Sequence, residues 1–365
     1  MANVTIATPM AIGGVTTTVE DQLALALKVF SGETLTAFQQ TSVTNGRIME
    51  RTISSGKSAQ FPVFGRTTAH YLKSGQSLDD IRENIQQGER IIKIDGLLTS
   101  DCLIFDLDEF IAHYDFRSPY AKELGNALAI SYDASVLAEL AKEALNDTPN
   151  VSGNGVGGVI TVTADNATVG INKQTGLAIY QILLEAKSKM SKNYVPANER
   201  YAFLDPDFHS ALASALDFLN RDYGASGTIL EGNVIRLAGF DILECPHITR
   251  GGSDPTHALY GDGHKFPTAY ADKHPIIICH KTAAGVLRLK NLSMESGRRI
   301  EYQADQIIAK MAVGMGGLRP ESAFMGIVES ASAAGSGSTE SGSSESGSGS
   351  TESGSGSTES GNGNG

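Results

Sequence analysis

The sequence predicts an α+β fold, and three observations predict it. Helical and strand patterns intermingle along the chain without regular strand–helix–strand repeats, which points away from a doubly wound parallel sheet. One stretch, Ser118 to Leu145, keeps helical spacing for far longer than any other. Two N-terminal stretches, an unpatterned arm and a polar-tipped hairpin, hold too few apolar side chains to build cores of their own.

Residues 1–18 are rich in Thr, Ala and Gly and read as an extended arm. Glu20 to Phe38 follows as a helix with one glycine break and Leu23, Leu27, Phe30 and Leu35 as its apolar positions. Arm and helix together must lie on something else, either this chain or a neighbour. Lys57 to Phe64 and Glu89 to Asp95 cluster β-formers around a polar stretch and predict a long hairpin. Pro62 within the first strand marks an edge. Leu97 to Tyr114 is apolar with interspersed acids and leads into the long helix.

In that helix Ser118 fits an N-cap and Pro119 the first helical position. Tyr120, Leu124, Leu128, Leu137, Leu140 and Ala144 make the apolar face. Lys122, Glu123, Asp133, Glu139, Lys142 and Glu143 are expected on the other face, with Asn146 to Pro149 ending the helix. At about 1.5 Å per residue it is roughly 40 Å long, a spine on which other elements are mounted. Residues 147–170 read as a Gly/Asn/Thr-rich surface loop and Thr175 to Lys192 as a second helix. Arg200 to Leu204 is a short buried strand, and Asp205-Pro206 opens a third helix. Short strands follow in 228–285, with Arg288–Leu292 and Ile300–Ala309 as further strand candidates. Residues 331–365 repeat GSGSTES and close variants, have no aliphatic or aromatic residue after Ala334, and cannot bury enough to fold.

The chain has 365 residues, 41% of them hydrophobic, enough for one large or two modest domains. It has no apolar run near the length that crosses a bilayer. The N-terminus lacks a basic region before its weakly apolar stretch, which argues against a secretory signal. Cys102, Cys245 and Cys279 are far apart and odd in number, so they form neither a disulfide framework nor a zinc spacing and fit a reducing compartment. The formal net charge is −12, of which the tail's glutamates supply four, leaving residues 1–330 at −8. That acidity excludes a tight nonspecific nucleic-acid binder.

Candidate chemistry is thin. Ser55-Gly56-Lys57-Ser58 ends like a phosphate-binding loop, but Arg51 stands where its first glycine belongs, so a turn entering the hairpin is expected. His247, His257, His264, His274 and His280 share one segment with Asp254, Asp262 and Asp272, without HxH or HExxH spacing. Solvated loop histidines are expected there, not a metal site. Asp106, Asp108 and Glu109 are close enough for a cation but read as a solvated turn. Cys102 lacks a readable base partner and reads as a buried thiol, not a nucleophile. Catalytic, cofactor-binding and metal residues are therefore expected to be none.

Five colinear stretches resemble one family. They are Lys28–Phe38 (KVFSGETLTAF), Ile53–Thr67 (ISSGKSAQFPVFGRT), Lys93–Asp101 (KIDGLLTSD), Lys192–Arg200 (KNYVPANER) and Gln303–Glu321 (QADQIIAKMAVGMGGLRPE). The family is the major capsid protein of short-tailed phages of the T7 group, and the resemblance covers most of residues 20–325. It implies the Hong Kong 97 capsid fold. The implied parts are an N-terminal arm (1–50), an extended loop (51–96), a peripheral domain with the long helix as spine (97–149 and 286–328), an axial domain (150–285) and a tail (329–365).

The resemblance also implies a function. The chain would self-assemble as hexamers and pentamers into an icosahedral head, enclosing double-stranded DNA without binding it specifically. Partners would be other copies of itself, a scaffolding protein during assembly and the portal, with no membrane. Its place would be the virion, after assembly in the host cytoplasm. Gly56, Gly65, Gly75 and Gly88 would serve as hinges around the loop. Lys57 and Lys73 are the loop lysines, and no covalent crosslink is expected from them. Two alternatives belong to other classes: a nanocompartment shell of encapsulin type, and a surface adhesin.

Overall fold

The computed structural model describes residues 34, 36–38, 41–107, 117–151, 153–165, 168–215, 236–248 and 264–331. The arm before residue 34, most of the Glu20–Phe38 helix and the tail beyond Ala331 lie outside these residues.

The spine, α1, runs Arg117–Ala144. Ser118 and Pro119 therefore lie inside its first turn, and Ser118 is not the N-cap. Pro119 is tolerated there because first-turn N–H groups have no intrahelical partner. Leu124, Leu128, Leu137, Leu140 and Ala144 are buried as expected, but Tyr120 is exposed. Asp133 and Glu143, expected on the solvent face, are buried. The cause is that the helix has elements on more than one side: it packs against two sheets and against residues 38–48.

The first sheet has four strands: β1 (Met49–Thr52), β4 (Gly96–Phe105), β10 (Ala284–Arg299) and β11 (Ala304–Gly317). Their order is β1-β10-β11-β4, with β1 parallel to β10 and the other pairs antiparallel. The charged run Lys290–Arg299 resembles a loop in composition, yet it continues β10. Cross-strand ion pairs of Glu295 with Lys310 and of Arg298 with Asp305 make it compatible with pairing. The strand expected from Ile300 instead begins at Ala304, after a single 3-10 turn at Ile300–Tyr302 that ends with Gln303 at φ +48°.

The second sheet has six strands: β5 (Gly158–Ala164), β6 (Arg200–Leu204), β7 (Arg236–Leu237), β8 (Phe240–Glu244), β9 (Ile276–His280) and β12 (Ala323–Ser330). Their order is β5-β12-β9-β6-β8-β7. β5 lies within the segment expected to be a surface loop; its GVITVTA core has strand chemistry that the glycine-rich flank masks. β12 pairs with β5 and β9, so the end of the chain joins the sheet otherwise built from residues 158–280.

Both faces of this sheet are covered. Two helices, α2 (Lys173–Lys192) and α3 (Pro206–Ser214), share a core with Ile276, Ile278 and Phe324. Ile277, Cys279 and Met325 belong to the core of α1 instead. Successive side chains of a strand alternate faces, so a continuous apolar run such as IIIC serves two cores at once. Asn172 caps α2 by accepting from Thr175 N at 2.8 Å. Leu177, although apolar, faces solvent.

The predicted hairpin is present as β2 (Ser58–Phe64) and β3 (Gln87–Lys93), antiparallel from Ser58↔Lys93 to Phe64↔Gln87. Its base is not without a core. Ala59, Phe61 and Ile92 pack with Leu287 and Leu318 of this same chain. Gly314 of β11 makes the junction possible, since a Cβ there would stand 2.1 Å from the Lys93 carbonyl oxygen.

Leu137→Ala is expected to lower the unfolding free energy of the soluble subunit by about 2–5 kcal/mol. Leu177→Ala, at an exposed site, should change it by no more than about 0.5 kcal/mol. Urea denaturation of the two variants measures the contrast, and equal losses would contradict the burial of α1.

Candidate assembly surfaces

Three features of the molecule bear on contacts with other chains: the seat of the arm, the extended hairpin and the far end of the four-stranded sheet.

The seat of the arm is built on Asp133, whose carboxylate is fully buried in the middle of α1. Its oxygens accept from Ser42 Oγ at 2.7 Å, Val43 N at 2.6 Å, Thr44 N at 3.2 Å and Thr44 Oγ1. His247 Nε2 lies 3.3 Å away on another side. A buried carboxylate is tolerable only when donors surround it, and here one backbone turn supplies most of them. Phe38 adds an edge-on contact to the Tyr132 ring at 5.7 Å. Arg288 stacks on the other side of this joint, 5.5 Å from the Tyr132 centroid, and bonds Asn45 and Glu50. The arm thus ends docked on its own spine. Sequence reasoning placed Asp133 among solvent-facing residues; its position one residue from Tyr132, in a run of apolar neighbours, was the available signal.

The hairpin is anchored at its base and bare at its tip. Arg90 of β3 donates Nε to Asn150 at 2.7 Å and lies 3.6 Å from the Glu143 carboxylate at the end of α1. Burial pushes the Glu143 carboxyl up, against the pull of Arg90. Beyond Phe64 the strap from 66 to 87 is exposed almost throughout, and it carries Tyr71, Leu72, Leu78 and Ile85 into solvent. Tyr71 is as exposed as in an open chain, at 101%. Internal support is polar: Thr68 Oγ1 donates to Glu83 at 2.6 Å, and Ser77 caps one 3-10 turn at Leu78–Asp80. Arg66 ties the neck to the Tyr194 ring at 4.8 Å. Gly56 and Gly75 adopt positive φ, whereas Gly65 and Gly88 lack it and pack against Val151. Lys73 sits in the exposed tip.

At the far end of the four-stranded sheet, Phe105, Leu107, Ile300 and Tyr302 are exposed together with the turn between β10 and β11. Arg298 holds this end, donating to Asp106 at 2.6 Å and Asp305 at 3.1 Å. Asp106 is thereby an ion-pair partner, its carboxyl held below the usual range by the Arg298 hydrogen bond. Asp108 and Glu109 lie outside the described residues.

The remaining sequence candidates separate. Ser55–Lys57 is an exposed turn that opens a strand, not the helix a phosphate loop requires. Of the histidines expected in solvent, His274 is exposed, but His247 and His280 are buried and His264 nearly so, and they serve different partners. His247 faces Asp133, His280 bonds Thr282 Oγ1 at 2.9 Å, and His274 lies beside Asp205 and Phe208. His264 lies between Asp95 Oδ2 at 2.7 Å and Glu139 Oε1 at 3.1 Å, and Glu139 also accepts from Lys142 at 2.9 Å. Glu139, expected on the solvent face, is therefore engaged twice. His257, Asp254 and Asp262 lie outside the described residues, and no group of three or more metal-type ligands occurs among those described. Cys102 is half-buried, and burial raises its thiol pKa. Burial pushes Cys245 and Cys279 up to about 12, which keeps both as thiols. No helix among the described residues is long and apolar enough to cross a membrane.

Known proteins share this architecture. A family model described as Gp10A-like major capsid protein matches residues 60–326. The major capsid protein of Escherichia phage T7 is 44% identical over 317 residues, covering 83% of this chain and 91% of that one. The minor capsid protein of the same phage is 43% identical over 333 residues, covering 87% and 83%. The capsid structure of the cyanophage P-SCSP1u superposes with a TM-score of 0.67 at 30% identity, covering 79% of this chain and 88% of that one. An arm docked on a long spine, an extended hairpin and two sheets define a phage capsid subunit of the Hong Kong 97 fold. The chain belongs to the Gp10A-like family of major capsid proteins. That family is structural and is not a family of enzymes, and membership decides against the adhesin and nanocompartment alternatives.

Asp133→Asn is expected to destabilise the subunit by about 3 kcal/mol or more, because an amide NH₂ would face donors that now meet an oxygen. Thermal unfolding measures the loss. Exchange of the 42–48 amides should rise with it, and unchanged protection there would remove Asp133 from the seat of the arm.

Proposed function

We propose that this chain is the major capsid protein of a short-tailed phage, the structural subunit that assembles as hexamers and pentamers into an icosahedral head around double-stranded DNA. One observation carries this beyond family membership: the strap at 66–87 holds Tyr71, Leu72, Leu78 and Ile85 in solvent beyond a strand pair tied to the rest of the chain from its base to its neck. Exposed apolar side chains on an extended arm call for a covering surface, and other copies of the chain supply one.

In this reading residues 1–50 are the arm and 51–96 the extended loop. The segments 97–149 and 286–328 make the peripheral domain, 150–285 the axial domain and 329–365 an outward tail. A scaffolding protein and the portal are the partners during assembly in the host cytoplasm, and the virion is the destination. The acidic chain suits a container along whose wall DNA slides without being gripped. Contacts between subunits are individually modest and collectively large, so that each addition overcomes the cost of lost freedom. The protein acts by association and not by catalysis.

Two experiments test the proposal on chain co-expressed with its scaffolding protein. Replacing Tyr71 and Leu78 together by Asp should leave subunit stability within about 0.5 kcal/mol while particles disappear from electron micrographs and from the ultracentrifuge. Normal particles from that variant would remove the strap from the assembly interface. Deleting residues 331–365 should leave particle yield unchanged, because the tail has nothing to bury; loss of particles would make the tail structural.

A further inference from the structure

Asp95 sits in the two-residue link where β3 ends and β4 begins, the point at which the extended hairpin leaves the four-stranded sheet. Its backbone is held lightly, by Asp95 N to Val313 O at 3.4 Å, beside Ile94 N to Lys57 O at 2.7 Å. Glu139 lies on α1, about one turn before Glu143. One imidazole spans the two carboxylates. His264 Nε2 is 2.7 Å from Asp95 and Nδ1 is 3.1 Å from Glu139, with the side chain only 11% exposed. A neutral imidazole has one N–H and could donate to only one of the two. With both nitrogens facing carboxylates, the geometry requires the doubly protonated ring.

We propose that His264 is a positioning residue for the extended loop, a fixed cation that clamps the hinge at Asp95 to the spine at Glu139 and so sets the angle at which the hairpin projects. This rests on reading residues 51–96 as the loop that docks on neighbouring copies. A second, weaker tie runs parallel to it, from Arg90 to Glu143, one helical turn further along α1. The hairpin is therefore held at two points on the last turns of the spine. The clamp at His264 joins three chain segments far apart in sequence, while Arg90 only steadies the strand that leads to it.

The clamp has a characteristic pH dependence. Burial alone would lower the pKa of His264. The hydrogen bonds and charges of Asp95 and Glu139 outweigh it and raise the pKa from 6.5 to about 9. The described groups that face this cluster are Asp95 from the link, Glu139 and Lys142 from α1, and Glu143 one turn beyond. A pKa raised on folding means that the contribution is fully present below the unfolded value. It is lost as pH rises through about 9.

The test is hydrogen exchange of the full-length soluble subunit from pH 7 to 10, corrected for intrinsic rates, with peptides covering 57–64 and 87–97. In the unaltered chain these peptides should lose protection as pH passes about 9. Asp95→Asn and His264→Gln should each exchange there about tenfold faster at neutral pH, with the alkaline step gone. His264→Lys, which restores a cation, should recover protection and carry the step to higher pH. Peptides over β6 and β9 serve as the folding control and should not change in any variant. A His264→Gln chain with full loop protection and an unaltered pH profile would overturn the proposal. So would a change spread equally over β6 and β9, which would make His264 a general stabiliser. Because exchange is read on unassembled subunits, this outcome is independent of whether the loop docks on a neighbour, which particle yield from the tip variants reports.

Discussion

Everything in this subunit depends on a helix that has almost no free side. α1 meets the four-stranded sheet, the six-stranded sheet and the end of the arm, and each contact uses a different strip of its surface. Lys122 and Glu123 near its start remain in solvent, but the carboxylates it takes out of water further along must be matched by nearby donors or cations. Asp133 is matched by the backbone turn at 42–44, Glu139 by His264 and Lys142, and Glu143 by Arg90. The charged residues of the spine are thereby converted into attachment points, one for the arm and two for the base of the extended loop. Apolar packing gives the spine its stability, and these matched charges specify which element goes where.

This division explains what could be read from the sequence. The existence of the spine, of α2 and of the strand Arg200–Leu204 was legible because each has a strong period or a strong boundary. The hairpin was legible in its two β-rich arms. The role of Asp133 was not, because a carboxylate at helical spacing looks the same whether it faces water or five donors. Nor was β5, whose alternating Val, Ile and Thr are set in glycine-rich surroundings. The charged length of β10 was missed for a related reason: cross-strand ion pairs can carry a strand that hydrophobic patterning does not mark. The histidines show the same limit, since a lone histidine in a loop-like segment gives no sign that it is a buried link between distant segments.

The identity of the family was more legible than the geometry of its contacts. Five colinear stretches carried the resemblance; Lys28–Phe38 lies mostly outside the described residues, and the other four map onto the entry to the hairpin, the link into β4, the turn after α2 and the whole of β11. The resemblance was specific because several of these stretches sit where elements meet. Gly314 illustrates the constraint, since the Lys93 carbonyl leaves no room there for a side chain.

The pairing of the strands also sets when this chain can finish folding. Met49 is paired with Gly285, Gly96 with Val313 and Gly158 with Phe324, so strands made early in synthesis wait for partners made last. Neither sheet closes before the final strands leave the ribosome. Such long-range pairing makes for a high contact order and slow closure. A nascent fragment cannot present the completed sheets, and its hairpin still lacks Leu287 and Leu318, on which its base packs. Shell growth therefore draws only on chains that reach β12, and a translation product cut short before that strand is excluded by topology before any surface is tested.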